Sequence, residues 1–216
     1  MAHKVHPKAF RLQKLEDWTS RWFEKKKFAQ YLQEDFEIRK FLEEKIGQLG
    51  VEKIEIERSA NKINIIINTA RPGLLIGRSG RGVEELRKEL MKKVIKPKKG
   101  ETKEVKIEVR EVKDVWSSAA LLAKHMAQQI EKRTPYRRVL KQALAKALSS
   151  KKVKGVRVEV AGRLDGIEIA RREWLQKGQL PRQTIRADVD YAQATAYCSY
   201  GTVGIKVWIY KGEKFD

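Results

Sequence analysis

The chain of 216 residues has one cysteine, Cys198, so it cannot form an internal disulfide, and no cysteine cluster is available to hold zinc. A reducing compartment is its natural setting. It has no run of about 18 apolar residues, and the basic N-terminus MAHKVHPKAF lacks an apolar core of signal-peptide length. The expectation is a chain neither exported nor membrane-spanning. Acidic residues are also in short supply: 28 Asp plus Glu face 48 Lys plus Arg, a formal net charge of +20, which points to a polyanionic partner. With 41% hydrophobic residues and clear periodicities, that charge rides on folded surface and not on a disordered tail. The length suits one large domain or two small ones, either able to bury a core. There is no internal repeat, and the only low-complexity stretch is the short KPKKG loop.

What is present divides along the chain. Residues 1–15 are basic, contain proline and show little period, which predicts an arm that orders only on a partner. Two helices are expected at about 18–31 and 35–49, the second with Asp35 as N-cap, Ile38, Phe41, Leu42, Ile46 and Leu49 on one face, and Gly50 as its stop. A strand at about 51–58 follows, then INIIIN at 63–68, apolar enough to be central in a sheet. Pro72 opens a short helix through Leu74, Leu75 and Ile76, and a further helix at about 81–95 turns Val83, Leu86, Leu90 and Val94 inward, ended by Pro97 and Gly100. A strand at about 103–111 alternates Val105, Ile107 and Val109 with Lys106, Glu108 and Arg110. The first unit, 16–112, therefore reads α-β-β-α-α-β. The second, 113–216, opens with Asp114 as the expected N-cap of a helix to about Lys132. Thr134-Pro135 then start a helix to about Ser149, before strands at 153–161, 166–175, 182–193 and 202–210.

Between the two short helices of the first unit lies LLIGRSGRG, residues 74–82, a glycine turn suited to holding phosphate. Gly77 and Gly82 have Walker spacing, but Val83 and Glu84 stand where that loop needs Lys and Ser or Thr, which argues against a nucleoside triphosphate. The dinucleotide fingerprint fails as well, because Glu85 occupies the third glycine position after Gly80 and Gly82. Gly77-Arg78-Ser79-Gly80 instead forms a G-x-x-G turn one step after a central strand, the organisation of a KH domain. In such a domain the turn holds a single-stranded backbone while bases lie in an apolar groove. The element order resembles the type II variant. A bare G-x-x-G can equally be nothing more than a tight helix-helix turn.

A second feature is defined by what it lacks. From Lys132 to Val158 there are ten Lys or Arg and no Asp or Glu. Within it, TPYRRVLKQALAKAL sets Arg137, Arg138 and Lys141 within about 100° on a helix, with Tyr136, Leu140, Leu144 and Leu148 turned inward. A charge run is ordinarily a solvated face, but such faces intersperse acids and this one has none in its own sequence.

KVHPKAFRL, SRWF, EDFEIRKFL, LIGRSG, YRRVLK, VEVAGRLDGIEIARREW, IRADVDYA and YGTVGIKVWIYKGE occur in that order over almost the whole chain. Together they resemble the family of bacterial-type small-subunit ribosomal protein three. The resemblance implies an α+β chain: a type II KH domain followed by a second α/β domain of two helices and a mainly antiparallel four-stranded sheet. It implies a cytoplasmic, non-enzymatic constituent of the ribosome, without cofactor or metal, bound to the 3′ domain of small-subunit rRNA in the head. It further implies a place along the channel by which mRNA enters, where Arg137, Arg138 and Lys141 help unwind structured message. Gly77, Arg78, Ser79 and Gly80 would be the RNA-binding turn, and His3, Lys4, His6, Lys8 and Arg11 an rRNA-contacting arm. Small-subunit proteins ten and fourteen are the implied neighbours, with proteins two, four and five nearby. The alternative is a free KH protein of RNA processing or decay, against which the matching C-terminal half argues. Arg78-Ser79 departs from the two basic or basic-glycine residues common in relatives.

Three further features read as structural. His125 is a lone helical histidine, and Asp188 with Asp190 share a strand face with Arg186, so charge balance is expected there. Lys206, Trp208 and Tyr210 line one side of the last strand, a face that can stack bases or pack under another element.

Overall fold

A computed structural model of the chain describes residues 5–12, 15–59, 62–94 and 104–215. The chain forms two compact units, one of Trp18–Lys113 and one of Met1–Asp17 with Asp114–Asp216.

In the first unit, helix α2 (Phe28–Ile46) precedes strands β2 (Val51–Arg58) and β3 (Lys62–Thr69), helices α3 (Pro72–Ile76) and α4 (Arg81–Lys93), and strand β4 (Glu104–Glu111). This is the expected α-β-β-α-α-β order. The sheet runs β1-β2-β3-β4, where β1 is the two-residue strand Ser20–Arg21; β2 and β3 are antiparallel, and β4 lies parallel to β3. Alternation sends Ile54, Ile56, Ile63, Ile65, Ile67 and Val105 to one face, where they pack with Ile38, Phe41, Leu42, Leu75 and Leu90. The other face is a ladder of ion pairs: Arg21 to Glu55 (2.7 Å) and Glu57 (2.8 Å), Lys53 to Glu55 (3.1 Å), and Glu108 between Lys106 (2.9 Å) and Arg110 (3.5 Å).

Two expectations fail here. Trp18–Lys27 is not helical, because the chain pairs with β2 in parallel, Ser20 opposite Ile56, with the Ile56 amide donating to Thr19 O at 2.9 Å. Asp35 is no N-cap. It sits inside the single helix α2, fully buried, where its Oδ1 accepts from Arg58 Nε (2.8 Å) and Nη2 (2.6 Å), and its Oδ2 from Ser20 Oγ and Trp22 Nε1 (2.8 Å each). Arg58 Nη1 adds Glu34 at 2.6 Å. An aspartate ahead of an apolar period resembles a cap, but a tertiary guanidinium partner overrides that local preference.

In the second unit, helices α5 (Ala119–Glu131) and α6 (Tyr136–Leu148) cover one face of a four-stranded sheet of order β6-β5-β8-β7, antiparallel throughout. The strands are β5 (Gly155–Gly162), β6 (Arg171–Gly178), β7 (Ala187–Cys198) and β8 (Gly201–Glu213). Val156, Val158, Val160, Val203, Ile205, Val207 and Ile209 meet Leu122, Met126, Val139, Leu140, Ala143 and Ala147 in its core. The inward stripe of α6 is thus centred on Val139, Ala143 and Ala147, while the expected Leu144 and Leu148 are only partly buried. The second and third strands begin about five residues later than expected, because a 3₁₀ turn at Leu164–Gly166 precedes β6 and the connection 179–186 precedes β7.

Asp114 is not the cap of α5. Its side chain accepts from Ser150 Oγ, and the Ala119 amide at the helix start donates instead to Asp190 Oδ2 of β7 at 2.8 Å. Burial pushes the Asp190 carboxyl up, but the charges of Lys8 and Lys211 with these hydrogen bonds outweigh it and hold the group below the usual aspartate range. Asp190 therefore joins helix start to strand, and Asp188 pairs with Lys214 at 3.2 Å while Arg186 turns to Glu213 at 2.8 Å.

Where it is described, at residues 5–12, the N-terminal segment packs as part of this unit, in contrast to the expected loose arm. Helix α1 (Pro7–Phe10) is capped by His6, and the buried Arg11 donates through Nη2 to the carbonyls of Arg182 (3.1 Å), Thr184 (2.9 Å) and Pro181 (3.4 Å). Lys8 Nζ reaches Asp190 Oδ1 at 2.9 Å.

Candidate nucleic-acid interface

Each unit carries one of the expected contact surfaces, and the two are built on different principles. In the first, the path from α3 to α4 is a backbone construction. Gly77 has φ 69° and ψ −177°, a region that only glycine enters without strain, and Ser79 and Gly80 follow at φ 53° and 79°. These left-handed steps turn the chain within three residues. Gly82, absent from the expected contact set, is what lets the two helices approach. A Cβ there would lie 2.6 Å from the Leu75 carbonyl oxygen. Its signal was visible as the third glycine of LLIGRSGRG, though its cause is packing and not ligand contact.

The resulting turn is exposed at Gly77, Arg78 and Ser79, with Leu75 buried beneath it and Leu74 and Ile76 exposed beside it. Gly80 provides no side chain to cap α4, so the first-turn amides lack the usual capping oxygen, although Glu84 lies in that turn. The Arg81 amide donates to the Arg78 carbonyl within the turn, and the exposed Arg78 guanidinium, Ser79 hydroxyl and apolar Leu74 and Ile76 together can hold a phosphate and shelter a base edge.

In the second unit the surface is made of side chains. The face of α6 opposite the core exposes Arg137, Arg138 and Lys141. Arg137 and Arg138 stand in the first turn, where the helix dipole opposes cations by about 0.3–1 kcal/mol each. The sequence offers no local acid, but the fold brings two. Asp165 Oδ1 accepts from the Tyr136 amide at 3.4 Å, and Glu173 of β6 accepts from the Tyr136 hydroxyl at 2.9 Å with Arg137 Nη2 at 3.9 Å. Arg137 also donates to the Tyr136 hydroxyl at 3.1 Å. Among the described residues, Arg138 and Lys141 have no ion-pair partner. Two of the three cations are therefore left for an external anion.

The fourth cation of α6, Lys146, faces another way. Its Nζ lies 3.3 Å from His125 Nε2 and 4.5 Å from the Trp116 ring centroid. Burial, then the charges of Lys146 and Lys132, pull the His125 pKa down, so this histidine is a packed neutral ring, edge-on to Trp116. Of the expected arm contacts, His3 and Lys4 lie outside the described residues, Lys8 and Arg11 are turned inward as above, and His6 meets Tyr191 edge-on at 4.8 Å. Among the described residues of the arm, the cations Lys8 and Arg11 have partners within the fold.

Two family models match this chain, and its relatives span nearly its whole length. A family model described as "KH domain" matches residues 37–117, and one described as "Ribosomal protein S3, C-terminal domain" matches residues 126–209. Small ribosomal subunit protein uS3 of Caldicellulosiruptor saccharolyticus is 49% identical over 214 residues, 99% of this chain and 93% of the relative. The same protein of Maridesulfovibrio salexigens is 47% identical over 218 residues, covering 100% of this chain and 98% of the relative. That of Synechocystis is 44% identical over 214 residues, 99% and 87% respectively.

Proposed function

The chain belongs to the small ribosomal subunit protein uS3 family, and from that premise we propose that α6 is its contact with messenger RNA. As a family member it is a structural, RNA-binding component of the small subunit and not an enzyme. In the proposed role the protein works in the cytoplasm with the ribosome, bound to the 3′ domain of the rRNA in the head, beside proteins ten and fourteen and near proteins two, four and five. Arg137, Arg138 and Lys141 line the channel by which message enters and grip the strands of a hairpin as it is pulled through. The Gly77–Gly80 turn holds a single-stranded RNA backbone.

One observation carries this reading: exposed guanidiniums at the positive end of a helix whose other face is locked in the core. Local helix energetics disfavour cations there, and each fully buried Val or Leu beneath contributes roughly 1.5–3 kcal/mol to holding the scaffold still. Rigid, disfavoured and solvent-facing, these cations suit repeated phosphates. No nucleotide site is required, because translocation supplies the work.

The test is photo-crosslinking of a message carrying 4-thiouridine downstream of the decoded codon to small subunits containing this protein. An adduct on the peptide spanning Arg137–Lys141 is expected. Adducts on other subunit proteins with none on this peptide would remove α6 from the message path.

A further inference from the structure

The outer face of the second sheet, opposite α5 and α6, concentrates side chains that neither the turn nor α6 uses. Strand pairing puts Tyr191 beside Trp208, and Trp208 beside Arg157. The Tyr191 and Trp208 rings lie 5.1 Å apart, and the Arg157 guanidinium sits 4.0 Å from the Trp174 centroid and 5.6 Å from that of Trp208. From the connection 179–186, Arg182 comes within 5.9 Å of the Trp208 ring. The N-terminal segment closes one side through His6 and Phe10, held in place by the Arg11 hydrogen bonds to the same connection. Between them lies a cavity of about 540 Å³.

Size and chemistry narrow the occupant. Binding cavities for small ligands run from about 300 to 1,000 Å³. Among the described residues, the lining contains Arg11, Arg172, Arg182 and Lys206 and no carboxylate. The nearby Glu159 is buried and already holds Arg172 Nε at 2.6 Å and Arg157 Nη2 at 3.1 Å. An apolar peptide would leave the exposed Arg182 and Lys206 unanswered. An unpaired nucleotide answers both halves of the site, its base offering a π-face to Trp208 and its phosphate a partner for the cations. The exposed Gln193, which donates to the Tyr191 hydroxyl, places an amide where a base edge needs hydrogen-bonding groups.

We propose that the cavity between the N-terminal segment and the outer face of the second sheet receives one unpaired base of single-stranded RNA, stacked on Trp208, with its phosphate against Arg182 and Lys206. The proposal rests on the RNA-binding role above but not on α6. It gives the last strand's aromatic side a recognition function as well as a packing one, and it gives the ordered N-terminal segment the task of walling a site.

The experiment uses the full-length protein and a short single-stranded RNA carrying 5-iodouridine, with crosslinked residues located by mass spectrometry. Adducts at Tyr191, Trp208 or His6 are expected; adducts confined to α6 and the Gly77–Gly80 turn would overturn the proposal. In parallel, Trp208→Leu keeps apolar bulk and should weaken binding about tenfold, within the range for one stacked base. Should that variant not fold, Arg182→Gln with Lys206→Gln probes the same site from exposed positions and should make the salt dependence shallower by roughly 1.4 in log-log slope. Unchanged binding in these variants beside weakened binding in Arg138→Gln would remove the cavity and leave the RNA-binding role standing. Absence of binding by the unaltered protein would remove both.

Discussion

The two sheets share a plan, helices on one face and an open face opposite, yet their open faces have opposite character. On the first, each cation of Arg21, Lys53, Lys106 and Arg110 meets Glu55, Glu57 or Glu108 within 3.5 Å, so the ladder closes on itself. On the second, Glu159 is the one acid among Arg157, Arg172, Arg182 and Lys206 in the described residues, and Tyr191, Trp174 and Trp208 fill the spaces that carboxylates occupy on the first. The same contrast holds between the buried ion pair Arg58–Asp35 of the first unit and Arg138 and Lys141 of the second, which have no ion-pair partner among the described residues. Architecture alone does not decide the chemistry of a sheet face here. What distinguishes the two sheet faces, among the described residues, is what answers their cations: carboxylates on the first, and a single carboxylate with aromatic rings on the second.

The comparison is broken most sharply by removing a charge that is compensated. Asp35→Ala leaves the Arg58 guanidinium buried without its main partner, and Ser20 and Trp22 without their acceptor. Breaking a buried pair in this way costs about 3–5 kcal/mol, so chemical denaturation of the variant should show a markedly lower midpoint. A loss below about 1 kcal/mol would mean that the network contributes position and not stability. Smaller in energy but opposite in kind is Arg138→Gln with Lys141→Gln. Stability should hold within about 0.5 kcal/mol, as for most surface substitutions, while the salt dependence of single-stranded RNA binding becomes shallower by roughly 1.4 in log-log slope. The smallest effect belongs to Lys106→Gln with Arg110→Gln, equal in charge removed but drawn from the closed ladder, where the slope should not change. Equal slopes for the two pairs would dissolve the distinction between the faces.

Much of this was legible in the sequence where periodicity and local chemistry agree. VKIEVR alternates in β4 as it alternates on the page, and the element order of the first unit follows from patterns within single elements, whereas the antiparallel second sheet was implied by the family resemblance. The misreadings share one cause, a partner distant in sequence. Asp35 looked like a cap because Arg58 lies 23 residues away, and Asp114 took the role of Asp190, which reaches the start of α5 from 71 residues on. Residues 1–15 looked partnerless because the carbonyls that hold Arg11 come 170 to 173 residues later. At the proposed contact surfaces the residues Gly77–Gly80 and Arg137, Arg138 and Lys141 were readable as motifs. Gly82 needed the helix crossing to show its use, and the cavity beside Trp208 needed three segments brought together.

The central claim is that α6 acts on the message, and it is tested most directly by ribosomes in which Arg137, Arg138 and Lys141 are all replaced by Glu. Translation through a stable hairpin near the start of a message is compared with translation of an unstructured leader on the same ribosomes. The account predicts a loss on the hairpin message well beyond that on the unstructured one, with the variant still present in small subunits. Equal effects on both messages would contradict it, and would return the cations of α6 to the role of an ordinary solvated face.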